Sequence, residues 1–164
     1  TVVVHRDRDY MTENEIEEYK SQLENVGIKV FITNGNDAES HFVNEFHINQ
    51  LYPALTIERI AELINNCLTE RREKIVEKYI NTIHKRCLER SYRGGERPDA
   101  GRISTQCNRD FDGNMRDFMH GKIVERALRS KLQQETGQQV NLCRVTEAIS
   151  DPVLRVVADD IWND

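Results

Sequence analysis

The chain has 164 residues, enough for one domain with a hydrophobic core but too few for two large domains. Its formal net charge is -5, with 31% charged and 7% aromatic residues, so the overall charge gives no support to nucleic-acid binding. No stretch approaches the ~20 apolar residues of a membrane span and no signal peptide opens the chain, so we expect a cytoplasmic protein without a membrane partner. The cysteines lack the spacing of a zinc or redox motif, so we expect free thiols.

The N-terminal part predicts a strand, a helix and a second strand. The apolar run Thr1 to His5 predicts a central parallel strand that is buried on both faces. Thr12 and Glu15 match a capping box, and apolar residues then recur at helical spacing until Gly27. Ile28 to Thr33 is typical of a second strand. The short connections predict a right-handed βαβ unit with a parallel sheet.

The rest of the chain is mainly helical in pattern. An i, i+3, i+4 apolar rhythm runs from Thr56 to Glu89 and is interrupted by the charged run Glu70 to Lys74, which predicts one projecting helix or a two-helix insert. Tyr92 to Asp117 contains glycines and a proline without a sustained period and predicts a long loop. Further helices are predicted from Phe118 to Glu135 and from Asp151 to Trp162.

Acidic residues follow both predicted strands. Asp7 and Asp9 come directly after the first strand, and Asp37 and Glu39 come shortly after the second. Because the carboxyl ends of adjacent parallel strands lie at one edge of a sheet, we expect these carboxylates to approach one another. Carboxylate oxygens suit a hard cation such as Mg²⁺. The sequence therefore outlines a divalent-metal site.

Each of these carboxylates also has a purely structural interpretation. The arginines that flank Asp7 and Asp9 can neutralise them. Asp37 can cap a helix start, and Glu39 can complement the dipole of that helix. The residues alone leave both interpretations open.

The acidic segments carry a resemblance to a known family. The run His5 to Asp9, the predicted helix, the strand Val30 to Thr33 and the segment Asn36 to Ser40 resemble the second half of the Toprim domain in OLD-family (overcoming lysogenisation defect) nucleases. In that family an Asp-x-Asp pair and a following acidic residue bind divalent metals. The resemblance implies Mg²⁺ or Mn²⁺ bound by Asp7, Asp9 and Glu39, with Asp37 as a further ligand.

The same resemblance implies parts that this chain lacks. In the family an earlier glutamate, on a strand before the Asp-x-Asp strand, completes the metal site, and no residue here corresponds to it. The chain also enters an apolar strand without an initiating methionine, so we expect a C-terminal fragment of a longer protein that is inactive by itself. The family implies a homodimer and an N-terminal ABC-type ATPase domain, which would bind any ATP because this chain has no Gly-Lys-Ser/Thr phosphate loop.

A second resemblance lies at His120-Gly121-Lys122, before a predicted helix. It is similar to the Gly-Lys of the C-terminal region in OLD-family nucleases, where the lysine stabilises charge on the scissile phosphate. The alternative is a solvated lysine at a helix start. The implied function is a metal-dependent DNA endonuclease with Asp7, Asp9, Glu39 and Lys122 as catalytic residues.

The predicted fold class is α/β, with a partial Toprim-like parallel sheet. We expect residues 1–46 to form the second half of a Toprim domain, residues 47–118 a helical insertion with a long loop, and residues 119–164 a C-terminal helical region. In the loop, Arg93, Arg97 and Arg102 are expected to contact the DNA backbone. Two other functions stay open: another Toprim activity, of primase or topoisomerase type, and a non-catalytic helical interaction module.

Overall fold

The chain folds into a mixed α/β structure that is mostly helical, with one small parallel sheet, in a computed structural model that describes residues 2–149 and 151–162. Within these ranges, no helix is both long enough and apolar enough to cross a membrane. The described elements are β1 (Val2–Arg6), α1 (Glu13–Glu24), β2 (Ile28–Ile32), α2 (Glu45–Leu51), α3 (Ile57–Glu70), α4 (Arg72–Ser91), α5 (Ala100–Gly113), α6 (Gly121–Thr136) and α7 (Pro152–Trp162), with short 3-10 helices at Ala38–Phe42 and Glu147–Ile149.

The N-terminal unit has the predicted strand, helix and strand. β1 and β2 pair in parallel, with Val2 opposite Ile28. The capping box at the start of α1 is present, because Thr12 accepts from the Glu15 N–H and the Glu15 carboxylate accepts from the Thr12 N–H. Apolar residues of α1 then pack on β2 around Ile16.

The prediction that β1 is a central strand buried on both faces is wrong for the described chain. β1 pairs only with β2 there, and Val2 is 60% exposed and Val3 37% exposed. An apolar run indicates that a strand has the composition for burial, but a neighbouring strand or helix must supply that burial. One hydrogen-bonding edge of β1 is therefore free among the described residues. Thr1, the first residue of the predicted strand, lies outside them.

The long helical pattern forms two helices, α3 and α4, as one of the two sequence predictions had it. The break lies at Arg71, whose φ of -102° and ψ of 5° depart from helical geometry. Ile60, Ile64 and Leu68 of α3 are fully buried, as is Ile75 of α4. With apolar residues of α2, α5 and α6, they form the main hydrophobic core.

The prediction of a long loop from Tyr92 to Asp117 is wrong, because most of this segment forms the helix α5. The Asp99 side chain accepts from the Arg102 N–H at 2.9 Å and caps the helix. Ile103, Cys107 and Phe111 are spaced four residues apart, and the latter two are buried. This stripe is one residue wide, with polar residues between its members, so the sequence shows a weaker helical period than in α3.

A third apolar cluster joins the sheet to the helices. Tyr10, which follows β1, packs with Tyr79 of α4 and Cys107 of α5. The Tyr10 and Tyr79 rings stack with their centroids 4.3 Å apart, and Tyr79 stacks in turn on Phe118 at 5.3 Å. The segment that follows β1 is therefore anchored to the helical part of the molecule.

Candidate functional site at the carboxyl edge of the sheet

The turn after β1 has a left-handed backbone. Asp9 and Tyr10 have φ values of 48° and 61°, which residues other than glycine adopt rarely. Asn36 stabilises this turn, because its carbonyl oxygen accepts from the Asp9 N–H at 2.9 Å and its Oδ1 accepts from the Tyr10 N–H at 3.1 Å. Arg86 of α4 donates to the carbonyl oxygens of both turn residues. The position of the Asp-x-Asp segment is thus set by the end of β2 and by α4.

Asp7 lies where negative charge accumulates. Its Oδ1 accepts from the Ala38 N–H at 3.1 Å, which ties the end of β1 to the segment after β2. Burial raises the pKa of Asp7, and the nearby charges of Asp37 and Asp9 raise it further, against the effects of His5 and the Ala38 N–H. Close carboxylates of this kind favour a bound cation, which would relieve their mutual repulsion.

Asp37 is buried, with 4% of its surface exposed, and its carboxylate is surrounded by donor groups. Its Oδ1 accepts from the Ser40 hydroxyl at 2.5 Å and from the Gly121 N–H at 2.8 Å. Its Oδ2 accepts from the Lys122 N–H at 2.9 Å and lies 2.7 Å from Nδ1 of His120. The carboxylate therefore caps the N-terminus of α6 from a position 84 residues earlier in the chain.

The pKa of Asp37 reflects these contacts. Burial alone would raise it, but the close contact with His120 and the hydrogen bonds from the Lys122 N–H and Ser40 outweigh burial and hold the pKa at about 2, against an ordinary value of 3.8. The ionised carboxylate is thus the form that the folded protein stabilises. By linkage this difference corresponds to about 2 kcal/mol of stability at neutral pH.

Gly121 is required by the closeness of α6 to the 3-10 helix. A Cβ at this position would lie 2.1 Å from the Ser40 nitrogen and 2.4 Å from Oδ1 of Asp37. Only a residue without a side chain permits the two caps that Asp37 makes. The glycine of the Gly-Lys sequence therefore has a packing reason that the sequence alone does not reveal.

Lys122 and Glu39 complete this edge of the molecule. The Lys122 Nζ lies 3.9 Å from Oε1 of Glu39, and the lysine side chain is 72% exposed. Its backbone N–H is held by Asp37, so the helix start is fixed while the ammonium group stays in solvent. The structure thus brings Asp37, Glu39 and Lys122 into contact and places Asp7 beside them. Asp9 acts on Asp7 through its charge and lines a separate pocket of about 350 Å³ between α1 and α4.

The carboxylates at this edge are of a chemical type that suits a hard cation. Fewer of them are available, however, than a complete metal site needs. Across residues 2–149 and 151–162, no group of three or more His, Cys, Asp or Glu side chains is arranged to hold a metal. The oxygens of Asp37 are occupied by donors from α6 and Ser40. Asp7, Asp9 and Glu39 remain as carboxylates for a metal, fewer than a complete protein cage would use.

Two residues that organise this site were missed by the sequence analysis. Asn36 holds the left-handed turn, and its Nδ2 donates to the carbonyl oxygens of Asp117 and Met119 at 2.9 Å each, next to α6. Its position after Gly35, in a turn sequence, was a usable signal. Arg86 lies 77 residues from Asp9 on a different helix, and no local pattern connects them.

No protein-family model matches the chain, and neither the curated proteins nor the solved structures give a match. Membership of any family, including the Toprim and OLD groups, therefore stays a proposal.

Replacement of Gly121 tests how α6 is held. We expect Gly121→Ala to destabilise the fold by about 2 kcal/mol or more, because the added methyl overlaps the Ser40 nitrogen and Asp37 and must push α6 away. Gly113→Ala is the matched control, since its Cβ would meet nothing within 4 Å. Chemical denaturation of both variants measures the difference. Equal stabilities would show that α6 does not sit against Ser40 as described.

The charge of Asp37 predicts a pH-dependent contribution. We expect Asp37→Asn to lower the free energy of unfolding by about 2 kcal/mol near pH 7. Because the folded pKa is depressed, this contribution is complete above the ordinary value of 3.8 and is lost as the pH falls through about 2. The gap between parent and variant should therefore narrow steadily below pH 4.

Glu77→Gln is the control for that experiment, since Glu77 is an exposed carboxylate on α4. It should leave the unfolding free energy nearly unchanged at every pH. A gap for Asp37→Asn that stays constant from pH 7 to pH 3 would contradict an ionised, buried cap.

Proposed function

We propose that this chain carries two parts of the active site of a metal-dependent DNA endonuclease of OLD/Toprim type. One is an acidic edge formed by Asp7, Asp9, Asp37 and Glu39, and the other is Lys122, which stabilises charge on the phosphate. One observation carries the proposal: three of the residues that the resemblance selects, Asp37, Glu39 and Lys122, lie together in space. Lys122 is more than eighty residues from the acidic segments, yet its N–H binds Asp37 and its ammonium group faces Glu39.

The parallel strands support the same proposal. Ligands of open α/β sheets bind beyond the carboxyl ends of the strands, and Asp7 and the Ala38 N–H meet at that edge. A partial Toprim-like sheet is consistent with this arrangement. The resemblance puts a further metal-binding glutamate on a strand before β1, and such a strand would pair with the edge of β1 that has no partner among the described residues. The ATPase domain and the homodimer rest on the resemblance alone.

The proposed reaction is hydrolysis of a DNA phosphodiester. Asp7, Asp9 and Glu39 would hold a divalent cation, which when bound would supply the charge to activate water and to neutralise the phosphate. Asp37 positions the start of α6 by capping it, which keeps the Lys122 backbone fixed relative to Glu39. The exposed ammonium group of Lys122 is then available to stabilise the charge that grows on the scissile phosphate.

Tyr10 bears on the alternative of a topoisomerase-type reaction. A tyrosine nucleophile must reach the phosphate and lose its proton, but Tyr10 is 7% exposed and is stacked on Tyr79. Burial raises its pKa above the ordinary value, and the charge of Asp37 adds to this. These features favour hydrolysis by water over attack by this tyrosine.

The test uses the complete natural protein with supercoiled DNA and Mn²⁺. We expect Lys122→Ala to lower the single-turnover cleavage rate at saturating DNA by roughly 100-fold or more, while Mn²⁺ binding measured by calorimetry is retained. Asp7→Asn/Asp9→Asn should lose both cleavage and Mn²⁺ binding, because it removes two ligands. In the isolated chain we expect only weak Mn²⁺ binding, which the same double change removes.

Two controls separate these effects from a general loss of charge. Lys85→Ala changes a lysine of α4 that is 78% exposed, and Glu24→Gln/Glu77→Gln removes two exposed carboxylates away from the edge. Both control variants should cleave DNA at the rate of the parent protein. Mn²⁺ binding that survives Asp7→Asn/Asp9→Asn would place the metal elsewhere, and parent-like cleavage by Lys122→Ala would remove the lysine from the mechanism. An absence of Mn²⁺ binding altogether would favour the interaction module.

A further inference from the structure

A groove of about 650 Å³ runs along α6 opposite the junction of α3 and α4. Five cationic side chains and a single acidic one line it, a local excess of four positive charges in a chain whose formal net charge is -5. The charged residues of the lining are Arg71, Lys74, Lys122, Arg126, Lys131 and Glu70.

Most of this charge is uncompensated. Lys131 pairs with Glu70 at 2.7 Å, and Lys122 lies 3.9 Å from Glu39. Arg71, Lys74 and Arg126 are exposed, and none of them has an acidic partner within the part of the chain that the structure describes. Three unpaired cations that face one groove repel one another, so an anion in the groove would stabilise the arrangement.

The dimensions and composition of the groove indicate the kind of anion. From Lys122 to Lys131, α6 rises about 14 Å, a length that spans a few nucleotides of one duplex strand. Apart from charged groups, the described lining consists of Ile123, Ala127, Ser130 and Gln134, without an aromatic side chain. Single strands are usually bound by stacking bases on aromatic rings, so this lining suits a duplex backbone better.

We propose that this groove binds the sugar-phosphate backbone of duplex DNA and leads it to the acidic edge. The choice of DNA rests on the proposed function, whereas the location rests on the groove itself. Lys122 belongs to both places, since it lines the groove and its ammonium group faces Glu39. A strand that lies on α6 therefore reaches the carboxylates at the helix start. This location differs from the one predicted from sequence, which was the segment of Arg93, Arg97 and Arg102.

The test compares two triple variants that each remove three exposed cations. Arg71→Gln/Lys74→Gln/Arg126→Gln neutralises the groove and leaves Lys122 in place. Arg93→Gln/Arg97→Gln/Arg102→Gln neutralises the segment around the start of α5. Binding of a labelled duplex of about 20 base pairs to the 164-residue chain is measured by fluorescence anisotropy in EDTA over a series of salt concentrations.

We expect the groove variant to bind duplex at least tenfold more weakly at low salt. The slope of log K against log salt should become shallower by roughly 2 to 3, the value for three lost phosphate contacts. The other triple variant should bind like the parent chain. No duplex binding by the parent, an unchanged slope in the groove variant, or equal losses in both variants would overturn the proposal.

Two further ligands test whether duplex DNA, rather than another polyanion, occupies the groove. The matching single strand and polyglutamate should each bind the parent more weakly than duplex does. Tighter binding of single strands, or displacement of duplex by polyglutamate at equal charge concentration, would overturn the assignment to duplex DNA. Because EDTA removes divalent metal, a failure here leaves the Mn²⁺ and cleavage results intact, and a failure of those leaves the groove result intact.

Discussion

The buried carboxylate of Asp37 is the interaction on which the arrangement of this molecule depends. It joins the segment after β2 to the first turn of α6 by accepting from the backbone of Gly121 and Lys122. A buried charge is costly unless it is fully hydrogen-bonded, and a helix N-terminus is costly unless its N–H groups are satisfied. The N–H groups at the start of α6 supply hydrogen bonds to the carboxylate, and the carboxylate satisfies those N–H groups. The absent side chain of Gly121 makes the contact possible.

This contact determines where charge lies on the protein. It fixes the start of α6 beside the carboxyl ends of the strands, so that Lys122 stands at the border between the acidic edge and the basic groove. The two surfaces have opposite charge and meet at one residue. An enzyme that hydrolyses a phosphodiester needs both: carboxylates to hold a cation, and cations to hold the polyanion. The fold places the acidic edge next to the basic groove, and the proposed chemistry depends on this arrangement.

Local signals in the sequence predicted local structure well. The capping box of Thr12 and Glu15 and the parallel pairing of β1 with β2 are as expected, because they depend on residues close in sequence or on general rules for βαβ units. Features that depend on distant residues were predicted poorly. Asp37 was interpreted either as the cap of its own short helix or as a metal ligand, but its side chain makes no cap there and caps α6 instead. The narrow apolar stripe of α5 was likewise too weak a signal to show a helix.

Paramagnetic broadening by Mn²⁺ tests the central claim most directly, because it locates a weakly bound metal without requiring activity. The amide N–H groups of Ala38, Gly121 and Lys122 donate hydrogen bonds to Asp7 or Asp37 and lie at the acidic edge. We expect substoichiometric Mn²⁺ to broaden these amide signals first, to leave those of α3 and α5 sharp, and to have no such effect in Asp7→Asn/Asp9→Asn. Broadening centred on other carboxylates, or unchanged signals at these three amides, would contradict a metal site at this edge.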